Sequence, residues 1–106
     1  MGWVNDAVSE LKAGRAVCVR PFGGSMRGRI ESGQPVTLSP VRGEDVAADD
    51  VVLVAWRGNF LLHLVKQATP DRLLIGNNLG KTNGWVERCA VLGRVSEVHD
   101  NAGPPK

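Results

Sequence analysis

The apolar residues of this chain come in short, valine-rich runs, and that pattern leaves few ways to fold it. Ala16–Val19, Val51–Trp56, Phe60–Val65, Leu73–Ile75 and Val91–Val95 each span only three to six residues. β-Branched side chains lose rotamer freedom in a helix and pack well on a pleated surface, so such runs read as strands. Most of the thirteen glycines and six prolines lie between the runs, as the turn punctuation of an all-β domain. The expected fold class is therefore mostly β. With 106 residues and a hydrophobic fraction of 42%, the chain has material for one packed core and no second. Residues 1–99 are expected to form that single domain, and 100–106, with Gly103-Pro104-Pro105, a flexible tail.

One segment departs from the strand pattern. Val4, Ala7, Val8 and Leu11 fall on one helical face, with Asn5 placed to cap the helix and Gly14 to stop it. Arg15 to Arg20 then reads as a strand ended by Pro21, and Pro21 to Ser32 as a loop that turns at Gly33 into a strand at Val36–Leu38. Val41 to Asp50 is a polar connection. Val51–Trp56 and Phe60–Lys66 are expected to pair across Arg57-Gly58-Asn59, with Gly58-Asn59 supplying the positive φ that tight hairpins need. A turn at Ala68–Arg72, a strand at Leu73–Ile75, a polar glycine-rich loop at Gly76–Gly84 and a last strand at Ala90–Val95 complete the pass. No internal repeat is visible.

Thirteen basic and eleven acidic side chains give a net charge of +2 and are scattered along the chain. A dedicated nucleic-acid binder concentrates its cations, and the aromatic residues needed for base stacking are sparse here. Arg15, Arg20, Arg27 and Arg29 do cluster in sequence, and the plain reading of them is a solvated rim. No run of about 18 apolar residues occurs, so no membrane span is expected. The polar start of the chain does not read as a secretory leader. Cys18 and Cys89 either pair or fill small core positions, and they fit a reducing cytoplasm as well as any compartment; a cytoplasmic protein is the expectation. Two cysteines and two histidines without short ligand spacing make a poor zinc site, so neither metal nor cofactor is expected.

A serine becomes a nucleophile when a base takes its proton and donors hold the oxyanion that follows. Of Ser9, Ser25, Ser32, Ser39 and Ser96, only Ser25 sits in a segment suited to this. Gly23 and Gly24 open backbone conformations closed to other residues and let a substrate chain approach closely. The amides near Ser25 and Met26 are the candidate oxyanion donors. Alone, a Gly-Gly-Ser-Met segment is equally an ordinary turn. His63 supplies a base. Period-two alternation along Phe60–Lys66 puts Leu61, His63 and Val65 on one face and Leu62, Leu64 and Lys66 on the other. A histidine in a half-buried strand is commonly a satisfied core residue, yet it is also the side chain that is a base near neutrality without special tuning. Lys66 is the competing base. Lysine must be desolvated to lose its proton, and a place at the strand end points instead to a solvated terminus.

These residues, in this order, resemble a known family. Gly23-Gly24-Ser25-Met26 looks like the Gly-x-Ser-Met box of the LexA and signal-peptidase superfamily. Ser32-Gly33-Gln34-Pro35-Val36 resembles the Gly-Asp turn that follows that box, and Ala48-Asp49-Asp50-Val51-Val52-Leu53-Val54 the second stretch, Gly-Asp-Val-Val. Both turns depart from Gly-Asp, to Gly33-Gln34 and Asp49-Asp50. Leu62-His63-Leu64-Val65 falls on the strand that carries the general base. Leu74-Ile75-Gly76-Asn77-Asn78 is similar to the Gly-Asp-Asn loop, and Gly93-Arg94-Val95 to the closing strand. The resemblance spans Ala16 to Val95.

What it implies is a LexA/signal-peptidase-like coiled β-sheet domain with one short N-terminal helix. Its groove would bind a protein segment as an extended strand. The implied chemistry is that of a soluble serine endopeptidase with a Ser25–His63 dyad, as in the Ser–His signal peptidases of the endoplasmic reticulum and archaea. Asn77, Asn78 and then Asn83 stand where that group carries an acidic residue. An asparagine can orient an imidazole by hydrogen bonding but lacks the charge that stabilises the imidazolium. The alternative is a catalytically inactive module of the same fold that binds a protein partner through the same groove. Neither a membrane nor nucleic acid is among the expected partners.

Overall fold

Each apolar run becomes the centre of a strand, and a further strand forms where the sequence reads as loop. In the computed structural model, which describes residues 3–21, 30–31, 33–78 and 80–99, the strands are β1 (Val17–Val19), β2 (Val36–Pro40), β3 (Val51–Trp56), β4 (Asn59–Ala68), β5 (Arg72–Gly76), β6 (Thr82–Glu87) and β7 (Val91–Val98). They form one sheet in the order β1-β2-β7-β3-β4-β5-β6, with every neighbouring pair antiparallel. The chain is mostly β. The described residues contain one α-helix, α1 (Trp3–Lys12), and none is long and apolar enough to cross a membrane.

Helix α1 follows its apolar stripe, with Ala7, Val8 and Leu11 buried and Val4 packed against the same cluster. Asn5 is not the cap; it lies inside the helix. The far end closes as expected at Gly14. The Gly14 amide donates to the Leu11 carbonyl at 3.0 Å and the Arg15 amide to that of Glu10 at 2.9 Å, the paired bonds of a Schellman stop. Arg15 Nε also bonds Glu10 Oε1 at 2.5 Å, and that hydrogen bond and charge hold the Glu10 carboxyl below its ordinary range. A lowered carboxyl pKa means that the pair helps the fold above the ordinary carboxylate range and stops helping as acid titrates Glu10. Both side chains are exposed, so the effect is small.

The hairpin between β3 and β4 is tighter than the sequence reading. Trp56 pairs with Asn59, so the turn is Arg57-Gly58, and these two carry the positive φ values of 51° and 83°. Two consecutive left-handed residues make the I′ turn whose twist matches the flanking strands. Asn59 is already strand. β1 is shorter than the expected Arg15–Arg20, β7 extends past Val95 to Val98, and the glycine-rich loop ends early because Thr82 starts β6.

Both faces of the sheet are covered, which explains why Val51-Val52-Leu53-Val54 shows no polar alternation. Val51 and Leu53 join a first core with Ala7, Val8 and Leu11 of α1, Val19, Ile30, Val36, Leu38 and Leu64. Val52 and Val54 point the other way, into a second core with Val46, Val65, Leu73, Ile75, Val86 and Val91. On that side the sheet curls until the Trp56 indole of β3 packs over Gly84 of β6, across two intervening strands.

Two turns with the same geometry feed β2 and β3. In the first, the Gln34 amide bonds the Glu31 carbonyl at 2.9 Å while Gln34 Oε1 accepts the Glu31 amide at 2.9 Å. In the second, the Asp50 amide bonds the Ala47 carbonyl at 3.2 Å while Asp50 Oδ2 accepts the Ala47 amide at 2.9 Å. The residue before each has left-handed φ, 80° at Gly33 and 79° at Asp49. Glycine adopts that conformation without strain, and Asp or Asn tolerates it better than other residues. Cys18 and Cys89 are both free and exposed, neither paired nor in the core.

Candidate functional site

Ser25, with Gly23, Gly24, Met26, Arg27, Arg29 and Ser32, lies outside the described residues. The chain on either side of that segment is well tied. The Gly33 amide donates to the Pro21 carbonyl at 2.8 Å, and Arg20 Nη1 reaches the Gly33 carbonyl at 3.3 Å. Ile30, at the downstream end, is buried in the first core beside Val19 at the upstream end. Gln34 adds a second hold by donating its Nε2 to the His99 carbonyl at 2.9 Å. A carboxylate at this position could accept the Glu31 amide but could not donate to His99, so the amide does two jobs that an acid cannot. Of the expected arginine cluster, Arg15 is engaged by Glu10 and Arg20 by Gly33.

His63 stands in the middle of β4, opposite the fully buried Val52 of β3 and half-buried itself. Its face carries Leu61 and Val65, the second-core side of the strand. The ring is fixed by one hydrogen bond, His63 Nδ1 to the Leu62 carbonyl at 2.6 Å. A carbonyl oxygen only accepts, so Nδ1 is the donor in this bond. No described residue bonds Nε2.

Lys66 is not a solvated strand terminus. β4 runs on to Ala68, and Lys66 is the extra residue of a bulge between Val65 and Gln67. It is half-buried, and its Cε would lie 2.8 Å from a Cβ placed on Gly76. Gly76 pairs with Leu64, so Lys66 packs on the first-core side of β4, away from His63. Asn77 follows Gly76 directly, so one residue beyond the Leu64–Gly76 pair come His63 on β4 and Asn77 on the adjoining chain. Asn77 Oδ1 accepts the Lys81 amide at 2.9 Å, and the Asn77 amide donates to the Lys81 carbonyl at 2.9 Å. Asn77 and Asn78 are half-buried. The proton on His63 Nδ1 is held by Leu62, not by a carboxylate.

The other imidazole was not singled out by sequence. His99 Nε2 bonds Thr37 Oγ1 at 2.8 Å, with Glu97 Oε1 3.9 Å from the same nitrogen. A triad needs its carboxylate on the opposite ring nitrogen, so this trio closes the end of the β2–β7 pairing, where the His99 amide also meets the Pro35 carbonyl at 2.8 Å. No charged or polar side chain among the described residues is fully buried, and no cluster of His, Cys, Asp and Glu among them could hold a metal ion. No family model matches the chain, and no curated protein or solved structure shows significant similarity to it.

Proposed function

We propose that this chain is a serine endopeptidase core of the LexA and signal-peptidase type, with Ser25 as nucleophile and His63 as its base. The observation that carries the reading is the ring of His63, set on a strand with Nδ1 against the Leu62 carbonyl and no described residue bonded to Nε2. The left-handed φ shared by Gly33 and Asp49, at the two places where the resemblance sets its Gly-Asp turns, supports it. In the acylation step Ser25 Oγ bonds to the substrate carbonyl carbon and its proton passes to His63 Nε2. The amides near Ser25 and Met26 stabilise the oxyanion, and His63 returns the proton to the leaving amine. A protein segment bound as an extended strand is the substrate class.

A fluorophosphonate probe tests this. Ser25 oxygen attacks phosphorus, fluoride leaves, and the proton goes to the base. The expected result is labelling of Ser25 alone, abolished in Ser25→Ala and reduced about 100-fold or more in His63→Ala, while Lys66→Ala labels normally. Equal labelling of wild type and His63→Ala would overturn the dyad. The second reading, an inactive module that binds a protein partner through the same groove, is favoured by the absence of a carboxylate on His63 Nδ1. It predicts no labelling of the wild type at any pH.

A further inference from the structure

Seven of the chain's arginines lie among the described residues, and six of them have a partner. Arg15 is engaged by Glu10, Arg20 by Gly33, Arg42 by Glu44, Arg57 by the Trp56 ring, Arg88 by three backbone carbonyls, and Arg94 by Asp50. Arg72, at the start of β5, has none. Glu87 stands directly opposite it in the β5–β6 register, yet the two form no ion pair, and Glu87 Oε1 is the neighbour of Cys89 Sγ at 3.9 Å. Arg72, with Thr69 and Trp85, lines an open cavity of about 180 Å³. That is room for several waters of about 30 Å³ each. Trp85 pairs with Leu74 two residues from Arg72, so Arg72 and Trp85 share one face of the β5–β6 pair. It is also 42% exposed, while the other described indole, Trp56, packs on Gly84.

The third wall is rigid and has no spare polar group. Thr69 Oγ1 donates to the Arg72 carbonyl at 3.1 Å and accepts the Arg72 amide at 2.9 Å. The Thr69 carbonyl takes Arg88 Nε at 2.9 Å and Nη2 at 2.7 Å. Recognition therefore falls to one unpaired planar cation and one exposed indole on the same face of the β5–β6 pair. A guanidinium matches a carboxylate with two parallel hydrogen bonds, and an indole covers an apolar body.

We propose that Thr69, Arg72 and Trp85 form a binding site for a small organic carboxylate with an apolar body, the chemistry of a peptide's C-terminal residue. The site does not depend on the reading of Ser25 and His63. It is tested by NMR titration of the full chain, following the Trp85 indole N–H, assigned with Trp85→Phe. N-acetyl-leucine should shift that signal saturably with a Kd on the order of 1 mM, as expected for a fragment of its size. N-acetyl-leucine amide, which lacks the charge, and acetate, which lacks the body, should each bind about tenfold or more weaker. Arg72→Gln should abolish the N-acetyl-leucine response while the thermal midpoint stays within a few degrees of wild type. A tripeptide ending in leucine with a free carboxylate separates the two sources. Tighter binding than N-acetyl-leucine assigns the site to peptide termini, and equal binding to free carboxylates. An amide that binds as well as the acid, or an Arg72→Gln protein that still responds, would overturn the site.

Discussion

Asp49 and Gly33 occupy the same left-handed backbone position in two turns of one geometry, and only one of them is glycine. For an L residue with a Cβ that conformation costs about 1–2 kcal/mol, less for Asp than for most. Asp49→Gly is therefore expected to be more stable than Asp49→Val by about 1–2 kcal/mol. Urea midpoints of the two variants check the order. The neighbouring pair, Gln34 and Asp50, shows how each residue is fitted to its place. Asp50 needs only to accept from Ala47 and to meet Arg94 at 3.3 Å, whereas Gln34 must both accept from Glu31 and donate to His99.

Between elements, Arg88 is the strongest link that the sequence did not announce. It lies in a short 3-10 turn, Arg88–Ala90, between β6 and β7. Its guanidinium donates to the carbonyls of Gly43 at 2.7 Å, Val46 at 2.8 Å and Thr69 at 2.7 and 2.9 Å. The connection before β3 and the turn between β4 and β5 are thereby joined to the last turn of the sheet. Truncation would leave these carbonyls without their charged donor. Arg88→Ala is expected to cost about 2–4 kcal/mol in denaturant unfolding. Arg88→Lys should recover little of it, because one ammonium cannot reproduce the planar fork.

At the scale of the whole molecule, one sheet separates two cores, and β3 contributes alternate residues to each. Leu38 and Ile75 are fully buried on opposite sides. Leu38→Ala and Ile75→Ala should each cost about 2–5 kcal/mol. Because both cores share β3 and β4, each variant should lower a single cooperative transition seen alike by fluorescence and circular dichroism. Two separated transitions would show that the cores fold as independent units. The double variant should fail to fold, since a domain of this size has only about 5–15 kcal/mol in hand.

The sequence by itself determined the strand-rich class, the β3–β4 hairpin, the helix with its Gly14 stop and the parity of His63 against Lys66. All of these rest on local rules of side-chain period, β-branching and turn chemistry. It misplaced what depends on partners distant in the chain. β6 was hidden because Asn83 and Gly84 are poor strand formers and become strand by pairing with β5. The bulge at Lys66 arises from the register of β4 against β5, which no local signal encodes. The tautomer of His63 was likewise undecidable from residue order, since it follows from which acceptor the folded backbone places beside Nδ1. The tertiary structure alone decided the two-sided burial of Val51–Val54, the reach of Arg88 to three carbonyls and the isolation of Arg72 beside Trp85, because each depends on distances between segments that meet only when the sheet has formed.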